Sequence, residues 1–407
     1  MPSLGPRVLL PMSSTLPQFE YFKQRWVVPY AGWTLTGHSR AMERTGFVLH
    51  EIGVVLDAGV DLPLQSSLAG SGPRAIFVSH GHIDHMNALP ALLRHTGGDV
   101  PPTHVFAPAP IMQRLRQFCQ LSWAVKVDAG DELPEEYAPP PEADEHAEPG
   151  ARLQQGPACW RPVIGGQELQ VGVGKKGTTP LLVRTTQLWH RATSIGYVLA
   201  EPAHTTRKLR AGLVGADKHA TAANVKGAQA RGEAIHEEVR VAERPLLAFV
   251  TDTTVQALAH DRAVGGPILS CPTVMIECTY LEENKRSEAE RRGHVHWPGL
   301  RPYVRAQREM ARQTTWVLIH FSLRYPDEEV CAFFRDTERS GVILEEGEGG
   351  EDRTRPPDLV LWLDTGVVQL WVRSFTAAAE KADGEDSSGR GSGSGPPCAP
   401  CDQRELA

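Results

Sequence analysis

The stretch Phe77–Leu89 constrains this chain more than any other. A short apolar run, Ala75–Val78, has strand composition and leads into His80-Gly81-His82-Ile83-Asp84-His85. A helix-like stretch is expected from about Met86. Polar groups at the carboxyl end of a strand are where open α/β sheets carry their sites. Neutral imidazole and carboxylate are natural ligands of Zn²⁺. In a tight turn, His80 and His82 can point to one side and Asp84 and His85 to a neighbouring position. Four such groups suit two adjacent cations better than one. Two metals about 3.5–4 Å apart can clamp an in-line displacement at phosphorus. The other reading, a polar loop of satisfied histidines, explains the dense cluster and its strand–turn–helix setting less well.

A pair of metals needs more ligands than this motif holds, and three later strand ends offer them. His190 follows the apolar run Leu181-Leu182-Val183 and would complete a set of three imidazoles. Asp252 follows the strand-like Leu246–Thr251, where one carboxylate can bridge two metals; its other reading is a helix N-cap. His320 ends Trp316–Ile319 and would complete the second set. Asp57, before Ala58-Gly59, reads as a turn residue.

The chain has 407 residues, enough for one large domain or two ordinary ones. With 41% hydrophobic and 22% charged residues it has the composition of a globular protein. No run of 18 or more apolar residues occurs, so no membrane span is expected. The net charge of −7 is unlike that of a dedicated nucleic-acid binder, so any phosphate contact must be local. One stretch provides it: Arg207, Lys208, Arg210, Lys218, Lys226 and Arg231 face a single acid, Asp217, between Thr205 and Arg231. Such groups contact phosphate backbones.

Seven scattered cysteines fit a reducing, intracellular compartment, cytoplasmic or nuclear. Ser13, Ser14 and Thr15 with Arg7, and few acids, leave an organelle-targeting segment open. Cys398 and Cys401 form a C-x-x-C in a Gly/Ser/Pro-rich tail with no partner pair, and we read it as incidental.

The composition divides the chain into an irregular segment 1–24, a catalytic domain 25–376 and a disordered tail 377–407. Within the domain, 128–162 reads as an acidic, Pro-rich insertion and 201–244 as a long irregular arm that binds substrate.

The motif His80-x-His82-x-Asp84-His85 resembles that of the metallo-β-lactamase superfamily. With His190 before Ser194-x-Gly196-Tyr197, Asp252-Thr253, Glu277-x-Thr279, Gly293-His294 and His320-Phe321-Ser322-x-Arg324-Tyr325, the series is similar to the ribonuclease Z family from roughly Thr45 to Tyr325. The resemblance implies a four-layer αββα sandwich and an endonuclease that trims the 3′ trailer of precursor tRNA. It implies two Zn²⁺ per chain, with Mn²⁺ or another divalent ion as substitute. His80, His82 and His190 would hold one, Asp84, His85 and His320 the other, and Asp252 would bridge them. Asp84 would handle a proton of the attacking water, and Asp57 would support the metal loop, a reading of equal standing with a turn residue. His294, oriented by Glu277, would stabilise the phosphate or protonate the leaving oxygen. A homodimer, one subunit's arm serving the other's site, is common in the family.

Two departures stand out. Val295-His296-Trp297-Pro298 follows His294 where the family has small hydroxyl residues, so His296 is an alternative to His294. The 201–244 stretch lacks the Gly-Pro-rich segment of the family's arm. The runner-up reading is a hydrolase of the same fold acting on a small phosphodiester or other ester. A non-catalytic metal-bound scaffold for RNA or protein is the third.

Overall fold

The computed structural model describes residues 25–60, 72–94, 102–124, 153–155, 158–174, 177–310, 313–345 and 355–388. The N-terminal segment 1–24, most of the acidic insertion, and Cys398 and Cys401 lie outside them.

Two eight-stranded sheets organise the chain. The first is built from β1 (Trp26–Val28), β2 (Trp33–Arg40), β3 (Arg44–Leu49), β4 (Val54–Ala58), β5 (Ala75–Phe77), β6 (Thr103–Pro108), β7 (Leu153–Gln155) and β8 (Ala158–Val163). They follow the order β1-β2-β3-β4-β5-β6-β8-β7, and β4, β5, β6 and β8 run parallel. Next in the chain come β9 (Glu168–Val173), β10 (Thr179–Leu188), β11 (Ser194–Glu201), β12 (His204–Leu209), β13 (His236–Val241), β14 (Arg244–Val250), β15 (Thr273–Glu277) and β16 (Thr315–Ile319). The last strands are β17 (Val342–Leu344), β18 (Leu359–Trp362), β19 (Val367–Leu370) and β20 (Val372–Phe375). The second sheet is ordered β19-β18-β16-β15-β14-β11-β10-β9, with β14, β15, β16 and β18 parallel.

Strand alternation explains the layers, because successive side chains point to opposite faces. Phe47, Leu56, Phe77 and Phe106 of the first sheet pack against Tyr197, Phe249, Met275, Val317 and Trp362 of the second. Phe47 sets its ring edge-on to Trp362 at 5.2 Å, and Phe77 lies 5.0 Å from Tyr197. The opposite face of the first sheet (Val48, Val55, Ile76, Val78) is covered by α2 (Leu89–Arg94), which follows α1 (Ile83–Met86), and by α3 (Ala109–Ala124). The outer face of the second sheet (Val198, Val250, Ile276, Leu318) lies under further helices. In chain order the helices after α3 are α4 (Lys218–Ala230), α5 (Gln256–Val264), α6 (Arg286–Arg292), α7 (Trp297–Glu309), α8 (Asp327–Arg335), α9 (Thr337–Ser340) and α10 (Ala377–Ser388). Leu258 of α5, Leu300 of α7 and Phe334 of α8 supply that cover. The result is the expected four-layer αββα sandwich.

Four sequence expectations need correction. The acidic insertion does not extend to 162, because Ala158–Val163 is β8, inserted between β6 and β7 with Trp160 buried on α3's side. The arm 201–244 is not irregular. β12 and β13 form an antiparallel hairpin, and α4, capped by Asp217, fills its connection. The tail is not wholly irregular, since Ala377–Ser388 is helical; 389–407 lie outside the described residues. Finally, the motif helix starts at Ile83, so Asp84 and His85 project from its first turn.

Candidate metal centre

Six strands deliver the site from their carboxyl ends. β4 carries Asp57 just before its last residue, β5 leads to His80, β10 to His190, β14 to Asp252, β15 ends in Glu277, and β16 leads to His320. β11 of the second sheet pins the motif loop of the first. Tyr197 Oη donates to the Val78 carbonyl at 2.8 Å, and Ile195 N donates to the Ser79 carbonyl at 2.9 Å.

The remote nitrogens of the histidines show what the near ones can do. His85 Nδ1 donates to Asp57 Oδ2 at 2.7 Å. Ser79 Oγ donates to the same oxygen at 2.8 Å and therefore accepts from His80 Nδ1 at 3.0 Å. His190 Nδ1 donates to the Gly293 carbonyl at 2.8 Å. Thr279 Oγ1 donates to Glu277 and so accepts from His320 Nδ1 at 3.1 Å. In each neutral ring the second nitrogen, Nε2, is then a bare lone pair. His82 joins with Nδ1, 2.9 Å from His80 Nε2 and 3.4 Å from His190 Nε2.

These lone pairs gather into two pockets. His80, His82 and His190 converge with Asp252, and Asp84, His85 and His320 form a second group. Asp252 stands between them. Its Oδ2 is 3.5 Å from His80 Nε2 and 3.8 Å from His190 Nε2, while Oδ1 is 3.4 Å from His85 Nε2 and 3.3 Å from His320 Nε2. Converging bare nitrogens repel unless something positive lies among them, and one proton on His82 reaches only one neighbour. A divalent cation would satisfy such a set, and anchored remote N–H groups are the usual outer shell of metal histidines. The residues present therefore fit the group.

Electrostatics point the same way. Burial opposes ionisation of Asp252, yet the imidazoles of His320, His85 and His80 hold its carboxyl well below the usual range. Burial likewise opposes ionisation of Asp84, and His320 and His85 overcome it. Burial, reinforced by His85, drives the His80 imidazole toward its neutral, ligand form. For His85 burial is outweighed by Asp252 and Asp57, which draw positive charge to this point. A bound cation would compete with that proton.

Backbone strain marks the same place. Among the described residues five non-glycine residues adopt left-handed φ: Tyr30, Met42, Asp57, Asp252 and His320. Three are site residues, and Met42 N donates to Asp84 Oδ2 at 3.0 Å. Such conformations cost about 1–3 kcal/mol each and persist where the surroundings over-determine them.

Glu277 is a hub beneath the second pocket. It accepts from Thr253 N at 2.5 Å and from His294 Nδ1 at 3.0 Å. Burial works against charge on His294, but Glu277 raises the imidazole to about 9. His294 stays partly exposed, whereas His296 is buried at the start of α7. Arg207, Lys208 and Arg210 lie on and just after β12 of the arm. Opposite them β13 carries Glu237 and Glu238, and Arg207 pairs with Glu238 at 3.7 Å. The arm is thus less basic than its first strand alone. Sequence reasoning passed over Ser79 and Met42: a serine before the motif carries no distinguishing pattern, and Met42 acts through its main chain.

Residues 47–151 match the model of the metallo-beta-lactamase superfamily. A ribonuclease Z of Kineococcus radiotolerans is 30% identical over 309 residues, 72% of this chain and 82% of that protein. The chain belongs to the ribonuclease Z family. A chloroplastic tRNase Z of Arabidopsis thaliana is 23% identical over 318 residues, covering 76% of this chain and 75% of the relative. Among solved structures, the human short-form tRNase Z is similar, with 16% identity, 72% of this chain and 93% of that chain covered, and a TM-score of 0.39. As a ribonuclease Z family member the chain is a metal-dependent phosphodiester hydrolase of the endoribonuclease class. No helix among the described residues is long and apolar enough to cross a membrane.

Proposed function

We propose that this chain removes the 3′ trailer of precursor tRNA with two divalent cations, zinc in preference to manganese given five imidazoles in the donor set. The observation that carries the reading is the division of six donor residues into two pockets on either side of a seventh, Asp252. Bound cations would acidify a water and screen charge on the phosphoryl oxygens. His80, His82, His190 and Asp252 would hold one, and Asp84, His85, His320 and Asp252 the other.

The chain's own groups do the rest. Asp84, ionised and steered by the Met42 N–H on its Oδ2, accepts a proton from the attacking water. His294 keeps Nδ1–H on Glu277 and presents Nε2 as donor to the leaving oxygen; its exposure favours it over buried His296. Arg207, Lys208 and Arg210 contact the tRNA backbone from the arm, a catalytic domain of 25–376 carries the site, and a homodimer passes each arm to its partner's site. An intracellular location, cytoplasmic, nuclear or in an organelle like that of the chloroplastic relative, belongs to the same reading.

The test is a precursor tRNA carrying a 3′ trailer, incubated with zinc-loaded protein and mapped at its ends. We expect a cut just 3′ of the discriminator base, slowed about a hundredfold or more by Asp84→Ala. A second reading, hydrolysis of a small phosphodiester, draws on the Glu237–Glu238 strand that offsets the arm's charge. Turnover of a chromogenic phosphodiester with intact tRNA would decide for it.

A further inference from the structure

The turn between β2 and β3 touches both halves of the second pocket. It consists of Ala41, Met42 and Glu43, and Glu43 N donates back to the Arg40 carbonyl at 3.1 Å. Met42 N donates to Asp84 Oδ2 at 3.0 Å, so the turn orients a carboxylate of the first sheet's motif. Ala41 N donates to the Phe321 carbonyl at 3.2 Å, one residue past His320 of the second sheet. Met42 adopts φ of +67°, which a residue bearing a side chain keeps only where its surroundings impose it.

Arg40 anchors this turn. It is the last residue of β2, and its side chain is buried. Nη1 donates to Asp327 Oδ1 at 3.2 Å, Nη2 donates to the Tyr325 carbonyl, and Nε lies 3.6 Å from Asp364 Oδ2. Asp327 is buried and fixed in turn, because its Oδ2 accepts from Thr365 N at 2.7 Å and from Thr365 Oγ1 at 2.8 Å. One guanidinium of the first sheet thus meets the chain that follows His320, the start of α8 and the turn between β18 and β19. Apolar packing between the sheets is non-directional. A planar fork shared among three acceptors fixes an orientation.

Resting on the two-cation reading above, we propose that Arg40 is a positioning residue for the second pocket. It sets the turn that holds Asp84 in register with the segment that carries His320. The 3.7 Å between Asp84 Oδ2 and His320 Nε2 spans the two sheets, so no local motif determines it. None of the bonds just described goes to His80, His82 or His190, and His85 is oriented separately by Asp57. The influence of Arg40 therefore falls on one pocket, unlike that of Asp57.

The test is calorimetric titration of metal-free protein with Zn²⁺, with bound zinc counted by elemental analysis. Wild type should show two binding events. Arg40→Lys keeps the charge beside Asp327, but a compact ammonium cannot replace the fork. It should weaken one event about tenfold or more and leave the other unchanged. Anomalous density in its crystals should then be depleted among Asp84, His85 and His320 alone. Asp327→Asn should act in the same direction and replaces Arg40→Lys if that variant does not fold. Asp383→Ala controls for stability, since its bonds go to Arg301 and Arg305 rather than to the centre. It should lower the melting temperature and leave both zinc affinities as in wild type. Two unchanged events in Arg40→Lys, equal weakening of both, or the same selective loss in Asp383→Ala would overturn the positioning role. Failure of both Arg40→Lys and Asp327→Asn to fold would assign Arg40 to the fold instead. Fewer than two ions in wild type would instead remove the two-cation reading itself.

Discussion

At the scale of single residues, Asp57 shows how far the centre depends on groups that never meet a metal. Its two oxygens collect Ser79 N, Ser79 Oγ and His85 Nδ1, and through Ser79 it reaches His80. One carboxylate thereby sets the tautomers of histidines in both pockets. Burial favours its protonation, and His85 and Ser79 counter that. Asp57→Asn keeps the shape but loses the charge, and one amide cannot accept from all three donors. We expect metal affinity to fall about 10–100-fold, read by calorimetric titration with zinc. An unchanged affinity would show that the imidazoles hold their orientation without it. From sequence this residue was ambiguous: a turn aspartate before Ala58-Gly59 and an outer-shell aspartate look alike until the fold brings His85 to it.

At the scale of elements, the strand ends were legible and the polar attachments were not. β5, β14 and β16 announce themselves as short apolar runs ending in His80, Asp252 and His320, so periodicity and chemistry coincide. α10 has no such signature. Its sequence, Ala377-Ala378-Ala379-Glu380-Lys381-Ala382-Asp383-Gly384-Glu385-Asp386-Ser387-Ser388, offers little apolar surface. It is held instead by Asp383, buried against Arg301 at 2.8 Å and Arg305 at 3.5 Å of α7. A buried ion pair joining distant segments leaves no local trace. The arm hairpin was misread for a related reason: β12 and β13 pair through exposed charged strands with no apolar alternation. Removing Asp383 leaves a guanidinium buried without its partner, which costs about 3 kcal/mol or more. Asp383→Ala should therefore lower the melting temperature clearly, while exposed Lys381→Ala on the same helix should leave it within a degree or two of wild type. Equal melting curves would mean that α10 does not depend on this pair.

At the scale of the whole molecule, the two sheets bring different residues of the centre to one edge. The first supplies Asp57, His80, His82, Asp84 and His85, and the second His190, Asp252, Glu277, His294 and His320. The inter-sheet core of Phe47, Phe77, Tyr197, Phe249 and Trp362 fixes their separation, so the centre exists only when both sheets are packed. That explains why the residue types were readable early while their grouping was not. Spacing within the motif is local, but the distance from His85 to His320 is a property of the sandwich. The central claim is that Asp252 lies between two cations. Crystals of zinc-loaded protein, measured at the zinc absorption edge, test it most directly. The account predicts two anomalous peaks per chain, one among His80, His82 and His190 and one among Asp84, His85 and His320, with Asp252 between them. A single peak, or a second one away from Asp84, His85 and His320, would contradict it.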